Sequence, residues 1–580
     1  MKLGALAVLA LAAWGVSAAQ VRQGWVARFD GPGHYHDRPV GIALDSAGNV
    51  YLGGSTYPKG SASNSNYLAL KLFRNGALDW WRQYDRTDSD NVRGFGFDPN
   101  RGLLIVGTSG LVQYDLQGGF VWAQPSITGA IHVDAAGFLY ETGGDKGSLY
   151  IRKYDPTGIL LWETTYPGQQ SLDTAGLAVT ADGAGNVYAA GYIDFTHDEN
   201  TGDALTVKTA PNGALLWARR WIGPAGRNDY GSAIGIDASA NVYVALFSGW
   251  SVFGLDGDAG VMKYSPAGAF QWATLFDGAG ERDSPRGFAV DQAGNSHLSV
   301  TSGIDAGYAD IVTLKFGSGG GILWNRRHNG PANQFDSAGQ LAVDEEGNVY
   351  VIGSQFSGPI TGSDFVALKY GPTGVPLWTG LYDSPFNSLD DGLLLSLGPD
   401  GNVYVAGYSD GGPATRFDIA VVQFVQFETA YPESFLVNPG VLIGGALQDL
   451  FEIDGSVVAA KINILAEETG YPIQIGLTGT CPVANPQRLD FTLTASASQE
   501  GVGQYVELFD FQAQNWVRVS SRLASLSDST VTVSAPGPAS RFVQAGTRLL
   551  RARLGWEEVF AETAAVWQVR VDRARWRVVP

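Results

Sequence analysis

The sequence predicts an all-β protein built from a repeated unit. One unit recurs eight times between about residue 25 and residue 428, and it combines an Asp-x-x-Gly-Asn-Val-Tyr turn, an apolar run and a Gly-x-x-x-Trp segment. Short alternating runs of Val, Tyr and Trp are separated by Gly and Asn, while patterns typical of helices are almost absent. Self-similarity at a regular spacing indicates a repeat architecture.

The turn segment marks each copy of the unit. Most copies lie 52 to 55 residues apart, and two are shorter. The turn segments are DSAGNVYLGG at 45–54, DPNRGLLIVG at 98–107, DAAGFLYETG at 134–143, DGAGNVYAAG at 182–191, DASANVYVAL at 237–246, DQAGNSHLSV at 291–300, DEEGNVYVIG at 344–353 and PDGNVYVAG at 399–407.

Each copy predicts four β-strands. In the seventh copy these are residues 337–344, 349–354, 364–370 and 375–382. Gly and Asn occupy the turns because tight hairpins need residues that tolerate positive φ. One four-stranded sheet cannot bury both of its faces, so we expect the copies to stack face to face around an axis.

The tryptophans predict how this ring closes. Seven copies carry a Trp shortly after their second turn, and the eighth ends at residues 427–428 without one. The N-terminal segment 24–30 carries Trp25, so we expect it to form the outer strand of the last blade and to remove the exposed edges. The sequence therefore predicts an eight-bladed β-propeller over residues 20–429. A seven-bladed ring is the alternative, if the short second and third copies merge.

The repeat also resembles a known family. The pattern D-x-x-GNVYV-x-G, D-x-x-x-x-KY and G-x-x-x-W is similar to the β-propeller repeats of bacterial secreted and surface proteins, often called SBBP repeats and related to the NHL type. The second and third copies lack GNVY and depart from this pattern. The resemblance implies an extracellular propeller and no activity common to the family.

Residues 1–19 predict an export signal. Lys2 precedes an apolar run from Leu3 to Val16, and the small residues at 17–19 follow it. The run is shorter than the roughly 20 residues that a membrane-spanning helix needs, which makes a membrane anchor the less favoured interpretation. We therefore expect a protein that is secreted, periplasmic or held at the cell surface, with no membrane span.

Residues 430–580 predict a β-sandwich, because runs such as RLDFTLTAS and VWQVRVDRARWRVV alternate with period two. The lone Cys481 allows no internal disulfide, so the stability of the chain must come from packed core. We expect four aromatic side chains to lie in this core, the alternative being a platform on which sugars stack. They are Trp516, Trp556, Trp567 and Trp576.

An aspartate precedes the turn by about eight residues in nearly every copy. Because this position enters the innermost strand, we expect seven carboxylates near one mouth of the central channel. Converging carboxylates suit a hydroxyl-rich ligand or a hard cation such as Ca²⁺. The favoured interpretation is that each carboxylate caps backbone N–H groups and that no cofactor is bound. The seven residues are Asp37, Asp90, Asp173, Asp229, Asp283, Asp336 and Asp391.

Composition and motifs limit the function. A net charge of −19 argues against nucleic acid or an anionic membrane as partner. The sequence has no HExxH, no phosphate loop and no Cys/His metal cluster, and His34 and His36 form only a weak pair. Ligands are therefore expected at three blade-specific loops, 56–66, 193–203 and 247–260.

These observations favour a secreted, non-enzymatic binding scaffold whose propeller presents a loop-built face to a cell-surface glycan or protein. Two alternatives stay open. One is a propeller enzyme, either a quinone-dependent dehydrogenase or a polysaccharide-degrading enzyme. The other is a surface structural protein that associates with itself.

Overall fold

The computed structural model describes residues 19–579 apart from short segments, and these described residues divide into two compact units. The first unit comprises most residues up to Phe424, and the second begins at Val425. The predicted export signal lies outside the described residues except for Ala19. The internal segments that are not described are 58–64, 87–89, 170–172, 196–201, 251–256, 279, 305–307, 360–361, 413–415, 427, 451–456, 462–470, 484–485, 487 and 560–566.

The first unit contains eight sheets, one for each copy of the repeat, and we number them as blades 1–8. Seven of them have four strands, and in blade 7 the short strand Ala19–Gln20 adds a fifth. The short second and third copies form separate sheets. Two strands, β1 (Ala19–Gln20) and β2 (Arg22–Phe29), precede blade 1, which contains β3 (Asp37–Leu44), β4 (Val50–Thr56), β5 (Asn66–Leu72) and β6 (Leu78–Tyr84). The next three blades contain, in blade 2, β7 (Val92–Asp98), β8 (Gly102–Gly107), β9 (Gly110–Tyr114) and β10 (Phe120–Gln124); in blade 3, β11 (Ala130–Val133), β12 (Leu139–Asp145), β13 (Ser148–Tyr154) and β14 (Leu160–Pro167); and in blade 4, β15 (Asp173–Ala181), β16 (Val187–Phe195), β17 (Asp203–Thr209) and β18 (Leu215–Trp221). The last four contain, in blade 5, β19 (Asn228–Ile236), β20 (Val242–Trp250), β21 (Asp258–Tyr264) and β22 (Phe270–Phe276); in blade 6, β23 (Asp283–Val290), β24 (Ser296–Ser302), β25 (Asp310–Phe316) and β26 (Ile322–His328); in blade 7, β27 (Ser337–Val343), β28 (Val349–Gly358), β29 (Gly362–Tyr370) and β30 (Pro376–Tyr382); and in blade 8, β31 (Asp390–Leu397), β32 (Val403–Gly412) and β33 (Arg416–Val425).

The first strands of the blades form a closed circuit. Each first strand contacts the first strands of both neighbouring blades, from β3 of blade 1 around to β31 of blade 8 and back to β3. Strand β2 pairs with β33 and completes blade 8 as its outermost strand. Trp25 of β2 therefore lies where the tryptophan count placed it, and blade 8 is built from both ends of the repeat region.

The tryptophans join each blade to the next. Trp324 of blade 6 is buried, and its indole Nε1 donates to Pro372 O in blade 7 at 3.0 Å. Trp25 is only half-buried, but it makes the equivalent bond from blade 8 to Arg74 O in blade 1. The same donor position is filled by Trp80, Trp162, Trp217 and Trp272.

This joint explains the glycine of the Gly-x-x-x-Trp segment. Gly374 of blade 7 has φ +78°, and a Cβ there would lie 2.7 Å from the ring of Trp324 in blade 6. Both the backbone conformation and the close approach of the ring require glycine. The repeated Gly therefore packs against the Trp ring of the preceding blade. The Trp four residues later in the sequence extends to the following blade in the same way.

The second unit has two sheets that share one apolar core, the arrangement of a β-sandwich. Trp556, Trp567 and Trp576 are buried in this core and Cys481 is buried as well, whereas Trp516 is half-buried. Three of the four tryptophans are thus core side chains, as predicted. The first sheet contains β34 (Glu428–Ala430), β36 (Val441–Gly444), β37 (Val458–Lys461), β39 (Arg488–Ala497), β42 (Ser529–Ser534) and β44 (Gln568–Val579); the second contains β35 (Ser434–Val437), β38 (Ile473–Thr480), β40 (Val502–Asp510), β41 (Asn515–Leu523) and β43 (Leu549–Glu558); two short 3-10 helices span Leu447–Leu450 and Ala539–Phe542.

Helical structure plays a minor part in this chain. Among the residues that the structure describes, the helical elements are the two short 3-10 helices named above. Within those residues no helix has the length and apolar character that crossing a bilayer requires.

Candidate functional site

Each blade has two ends that differ in their connections. At one end strand one begins, strand two ends and strand three begins, so the repeated aspartates and the connections between strands two and three lie there together. We call this the aspartate end. At the opposite turn end, short turns join strand one to strand two and strand three to strand four. The predicted ligand loops 56–66, 193–203 and 247–260 belong to the aspartate end, and their central residues lie outside the described part of the chain.

The turn aspartates bind local donors. Asp182 accepts the backbone N–H groups of Ala184 and Asn186, the side-chain amide of Asn186 and the hydroxyl of Tyr188, all at 2.8–3.0 Å. Burial acts to raise the pKa of Asp182, but these hydrogen bonds outweigh burial and lower the pKa. The motif Asp-x-x-x-Asn-x-Tyr is therefore a turn lock, and the same contacts recur at Asp45, Asp237 and Asp344.

At the aspartate end, five buried carboxylates bind the backbone. Asp336 accepts the N–H groups of Gly330 at 2.5 Å and of Phe356 at 2.9 Å, which lie six residues before and twenty residues after it. The same position in the other blades is filled by Asp37 (donor Gly31), Asp229 (donors Gly223 and Gly249), Asp283 (donor Gly278) and Asp390 (donors Ser384 and Asp410). These carboxylates tie the strand to the loop that enters the blade.

Blade 2 uses a variant of this arrangement. Asp90 is buried, and its carboxylate accepts the N–H of Arg86 at 3.0 Å and the hydroxyl of Ser109. Its own N–H donates to Ser65 O of blade 1 at 2.7 Å. The residue is therefore a link between blades 1 and 2 as well as an acceptor within its own blade.

Two of the seven predicted aspartates are offset by one residue. In blade 8 Asp390 lies opposite Ser409, as Asp37 lies opposite Thr56 in blade 1, while Asp391 is the next residue along the strand. The carboxylate of Asp391 instead accepts the hydroxyl of Tyr408 at 2.7 Å. Asp390 lies eight residues before Gly398, which occupies the turn position of blade 8, and the looser spacing of about eight residues selected its acidic neighbour instead.

Blade 4 shows the same offset without a second acid. Asp173 is exposed, whereas Thr174 accepts the N–H of Asp194, twenty residues later, at its Oγ1 atom at 3.1 Å. Thr174, and not Asp173, lies eight residues before the turn residue Asp182, the spacing that Asp229 has from its own turn residue Asp237. A hydroxyl therefore fills the capping position in blade 4.

The aspartate end also gathers carboxylates from neighbouring blades. At three junctions the repeated aspartate meets the aspartate that begins strand three of the preceding blade and a third one after strand four, with one oxygen from each within 4.8 Å of the others. The three clusters are Asp30, Asp37 and Asp418; Asp258, Asp277 and Asp283; and Asp364, Asp383 and Asp390.

Burial and the charges of neighbouring carboxylates raise the pKa values of Asp37 and Asp364. Burial raises the pKa of Asp37 to about 6, and the charges of Asp30 and Asp418 add to the effect. Burial likewise raises the pKa of Asp364 to about 6; the Ser357 hydroxyl opposes the shift, and the charges of Asp383 and Asp390 add to it. The aspartate end thus holds carboxylates that the fold destabilises in their charged form.

Blade 8 and blade 1 present an aromatic group at this end. The ring of His36 stacks on Phe417 at a centroid distance of 5.2 Å, and Tyr408 meets Phe417 edge-on at 5.3 Å. The guanidinium of Arg416 lies over the ring of Tyr35 at 4.8 Å. Tyr408 matches Tyr192 of blade 4, whereas His36 and Arg416 have no like residue at the matching positions of the other blades.

An open cleft lies beside these rings. It has a volume of about 700 Å³ and is lined mainly by Phe386, Asn387, Ser388, Asp410, Arg416 and Phe417. Phe386 packs near Gly412 but leaves 48% of its surface exposed. An exposed ring, a guanidinium, a carboxylate, an amide and a hydroxyl therefore share one concave surface.

The two histidines of the weak pair do not converge on one site. His34 Nδ1 lies 2.5 Å from the carboxylate of Asp30, whereas the ring of His36 contacts Tyr35, Tyr57 and Phe417. Burial lowers the pKa of His36, and the charge of Arg416 lowers it further. His36 is therefore part of the aromatic group, and His34 belongs to the first carboxylate cluster.

Known sequences agree with this architecture. Residues 31–57 match the SBBP β-propeller repeat model. The chain is also 22% identical over 395 residues to an uncharacterized WD repeat-containing protein, L264, of Acanthamoeba polyphaga mimivirus, a match that covers 59% of this chain and 26% of that protein. The chain is a β-propeller repeat protein. It spans about a quarter of the length of this relative.

Two solved structures match this chain at low similarity. A protein of unknown function from Dyadobacter fermentans is 9% identical, with a TM-score of 0.39, and the match covers 70% of this chain and 99% of that one. A gluconolactonase from Xanthomonas campestris is 12% identical, with a TM-score of 0.28, and the match covers 69% and 100%. Neither likeness is close enough to transfer a ligand or an activity to the propeller.

Proposed function

We propose that this propeller is an exported, non-enzymatic binding scaffold that takes a cell-surface glycan in the cleft beside blade 8. The N-terminal segment 1–19 has the composition of an export signal and supports the location. The observation that carries the binding role is the cleft itself, which is specific to one blade in a ring of otherwise repeated contacts. Propeller ligands are expected at such non-repeated loops, because repeated residues maintain the blades.

The chemistry of the cleft favours a sugar. The exposed ring of Phe386 offers a flat apolar surface on which the C–H face of a pyranose can pack. Asn387, Asp410 and Arg416 line the same cleft and supply the acceptors and donors that hydroxyl groups need. Arg416 is exposed in a chain of net charge −19, so it also suits a carboxylated sugar.

Binding to a glycan array and to cell-wall polysaccharides tests this function. Phe386→Ala and Arg416→Ala should each weaken the affinity for the selected glycan about tenfold or more, since each removes one of the groups that contact it. Phe270→Ala is the matched control, because this ring is 53% exposed on blade 5.

Three results would contradict the proposal. They are equal binding by Phe386→Ala and the unaltered protein, turnover of a bound polysaccharide, and absorbance of a bound quinone. Binding of a protein partner with an affinity that neither Phe386→Ala nor Arg416→Ala changes would also contradict the proposal, because the ligand-binding face would then lie outside the cleft.

A further inference from the structure

The junction of blades 7 and 8 holds three carboxylates with no cationic partner. Asp364 lies near the start of β29, the third strand of blade 7, and Asp383 directly follows β30, the fourth strand. Asp390 is the capping aspartate of blade 8. One oxygen from each lies within 4.8 Å of the others. Within the described residues, none of the three forms an ion pair with Arg, Lys or His.

One buried oxygen at this junction has no hydrogen-bond partner. Asp364 is 5% exposed, and its Oδ1 atom is buried and accepts no hydrogen bond from the described residues. A buried carboxylate oxygen without a donor is costly, so a native site of this kind calls for a partner of positive charge. Asp383 is exposed, and it connects the group to solvent.

Arg28 is the arginine next to this group, and it is engaged elsewhere. Its guanidinium donates to Ser409 Oγ at 2.7 Å and to Asp410 O at 2.6 Å. Its carboxylate partner is Asp418, at 3.1 Å, which belongs to the next junction. Arg28 therefore leaves the three carboxylates between blades 7 and 8 uncompensated.

Elsewhere in the ring, aspartates at the corresponding positions have basic side chains as partners. Between blades 8 and 1, Asp418 pairs with Arg28 and Asp30 with His34. In blade 4, Asp203 at the strand-three position pairs with Arg220, and Ile222 stands where blade 7 has Asp383. The residue of blade 7 that corresponds to Arg220 is Leu381.

We infer that Asp364, Asp383 and Asp390 form a Ca²⁺ site at the junction of blades 7 and 8. All donors are carboxylate oxygens, which are the ligands of hard cations. Oxygens at most 4.8 Å apart share a point no farther than about 2.8 Å from each, which admits the Ca–O range of about 2.3–2.6 Å. Mg²⁺ demands near-ideal octahedral geometry and gives up its waters reluctantly, so three converging carboxylates favour Ca²⁺. Waters at exposed Asp383 would complete the coordination.

Calorimetric titration of the purified protein with CaCl₂ and with MgCl₂, after removal of divalent ions, tests the site. We expect Ca²⁺ to bind, with Mg²⁺ at least about tenfold weaker. Asp364→Asn and Asp383→Asn should each weaken Ca²⁺ binding about tenfold or more. Asp203→Asn is the matched control; it removes a buried strand-three carboxylate that already has an arginine partner and should leave Ca²⁺ affinity within about twofold.

Each result of the titration either supports or contradicts the Ca²⁺ site. A stoichiometry of two that falls to one in Asp364→Asn also supports the site, with the second ion at Asp258, Asp277 and Asp283. Absence of Ca²⁺ binding, or unchanged binding in both Asp364→Asn and Asp383→Asn, would overturn it. If circular dichroism shows that Asp364→Asn does not fold, Asp383→Asn decides, because its side chain is exposed and its replacement leaves the buried contacts intact.

Discussion

The two ends of the blades use the same residue type for opposite purposes. At the turn end, Asp182 meets four donors from its own turn, and its pKa falls. At the aspartate end, Asp37 and Asp364 meet other carboxylates across blade junctions, and their pKa values rise to about 6. At the turn end, local hydrogen bonds satisfy the carboxylates. At the aspartate end, the partners of each carboxylate depend on which residues the neighbouring blade supplies.

This difference indicates where function can arise in a repeat protein. The turn end has the same contacts in blade after blade, because each turn must lock its own hairpin and receive a tryptophan. The aspartate end carries the non-repeated rings, the open cleft and the uncompensated carboxylates. Four measurements test the contrast, and they follow from the largest expected effect to the smallest.

Removal of an inter-blade tryptophan should cost the most stability. Trp324→Ala removes a buried ring and its bond to Pro372 O, which should lower the free energy of unfolding by about 3–5 kcal/mol. Denaturant unfolding measures the change. Trp81→Ala is the control, since the ring of Trp81 is 36% exposed. Equal losses in the two variants would show that the tryptophan joint does not hold the blades.

Breaking one turn lock should cost somewhat less. Asp182→Ala leaves the buried hydroxyl of Tyr188 and the amide of Asn186 without their acceptor, which should cost about 2–4 kcal/mol. The control is Asp155→Ala, because Asp155 also accepts turn N–H groups but, among the described residues, accepts no tyrosine hydroxyl. A loss below about 1 kcal/mol for Asp182→Ala would contradict the lock.

The two ends should respond oppositely to pH. The folded pKa of Asp37 and of Asp364 is raised to about 6, so these groups are protonated more readily in the folded state and stability falls as pH rises through 6. The folded pKa of Asp182 is lowered, so its contribution is present at neutral pH and is lost below about pH 4.

Calorimetry in calcium-free buffer at pH 7.5, 5.5 and 3.5 measures this dependence. We expect the protein to be about 1–2 kcal/mol more stable at pH 5.5 than at pH 7.5, and below about pH 4 the loss at Asp182 begins to offset this gain. Asp37→Asn should reduce the gain between pH 7.5 and pH 5.5. A melting temperature that only falls on acidification would show that the aspartate-end carboxylates are not destabilised.

The cleft should contribute least to stability. Phe386→Ala removes a ring that is 48% exposed, so the free energy of unfolding should change by less than about 0.5 kcal/mol. Thermal unfolding of this variant and of Phe270→Ala measures the difference. A loss above about 2 kcal/mol would make Phe386 a structural residue and weaken its assignment to a ligand face.

The sequence predicted the blades because their determinants are local. Alternating strands, turn glycines and the tryptophan spacing all act within one copy or between adjacent copies. The same counting placed Asp391 and Asp173 one residue from the capping position, which Asp390 and Thr174 occupy. Both capping residues lie eight residues before the turn position, which is 182 in blade 4 and 398 in blade 8. A strict spacing of eight residues finds them, whereas a spacing of about eight residues admits the neighbouring acid.

The sequence by itself determined an all-β repeat protein with a second β-rich unit, since hydrophobic period and turn residues are properties of short segments. Only the tertiary structure decided that Asp364, Asp383 and Asp390 meet without a cation, and that Phe386 and Arg416 share a cleft. These residues come from different strands and loops. The charge or ring that a side chain faces depends on the register of its neighbours, and no local pattern carries that information.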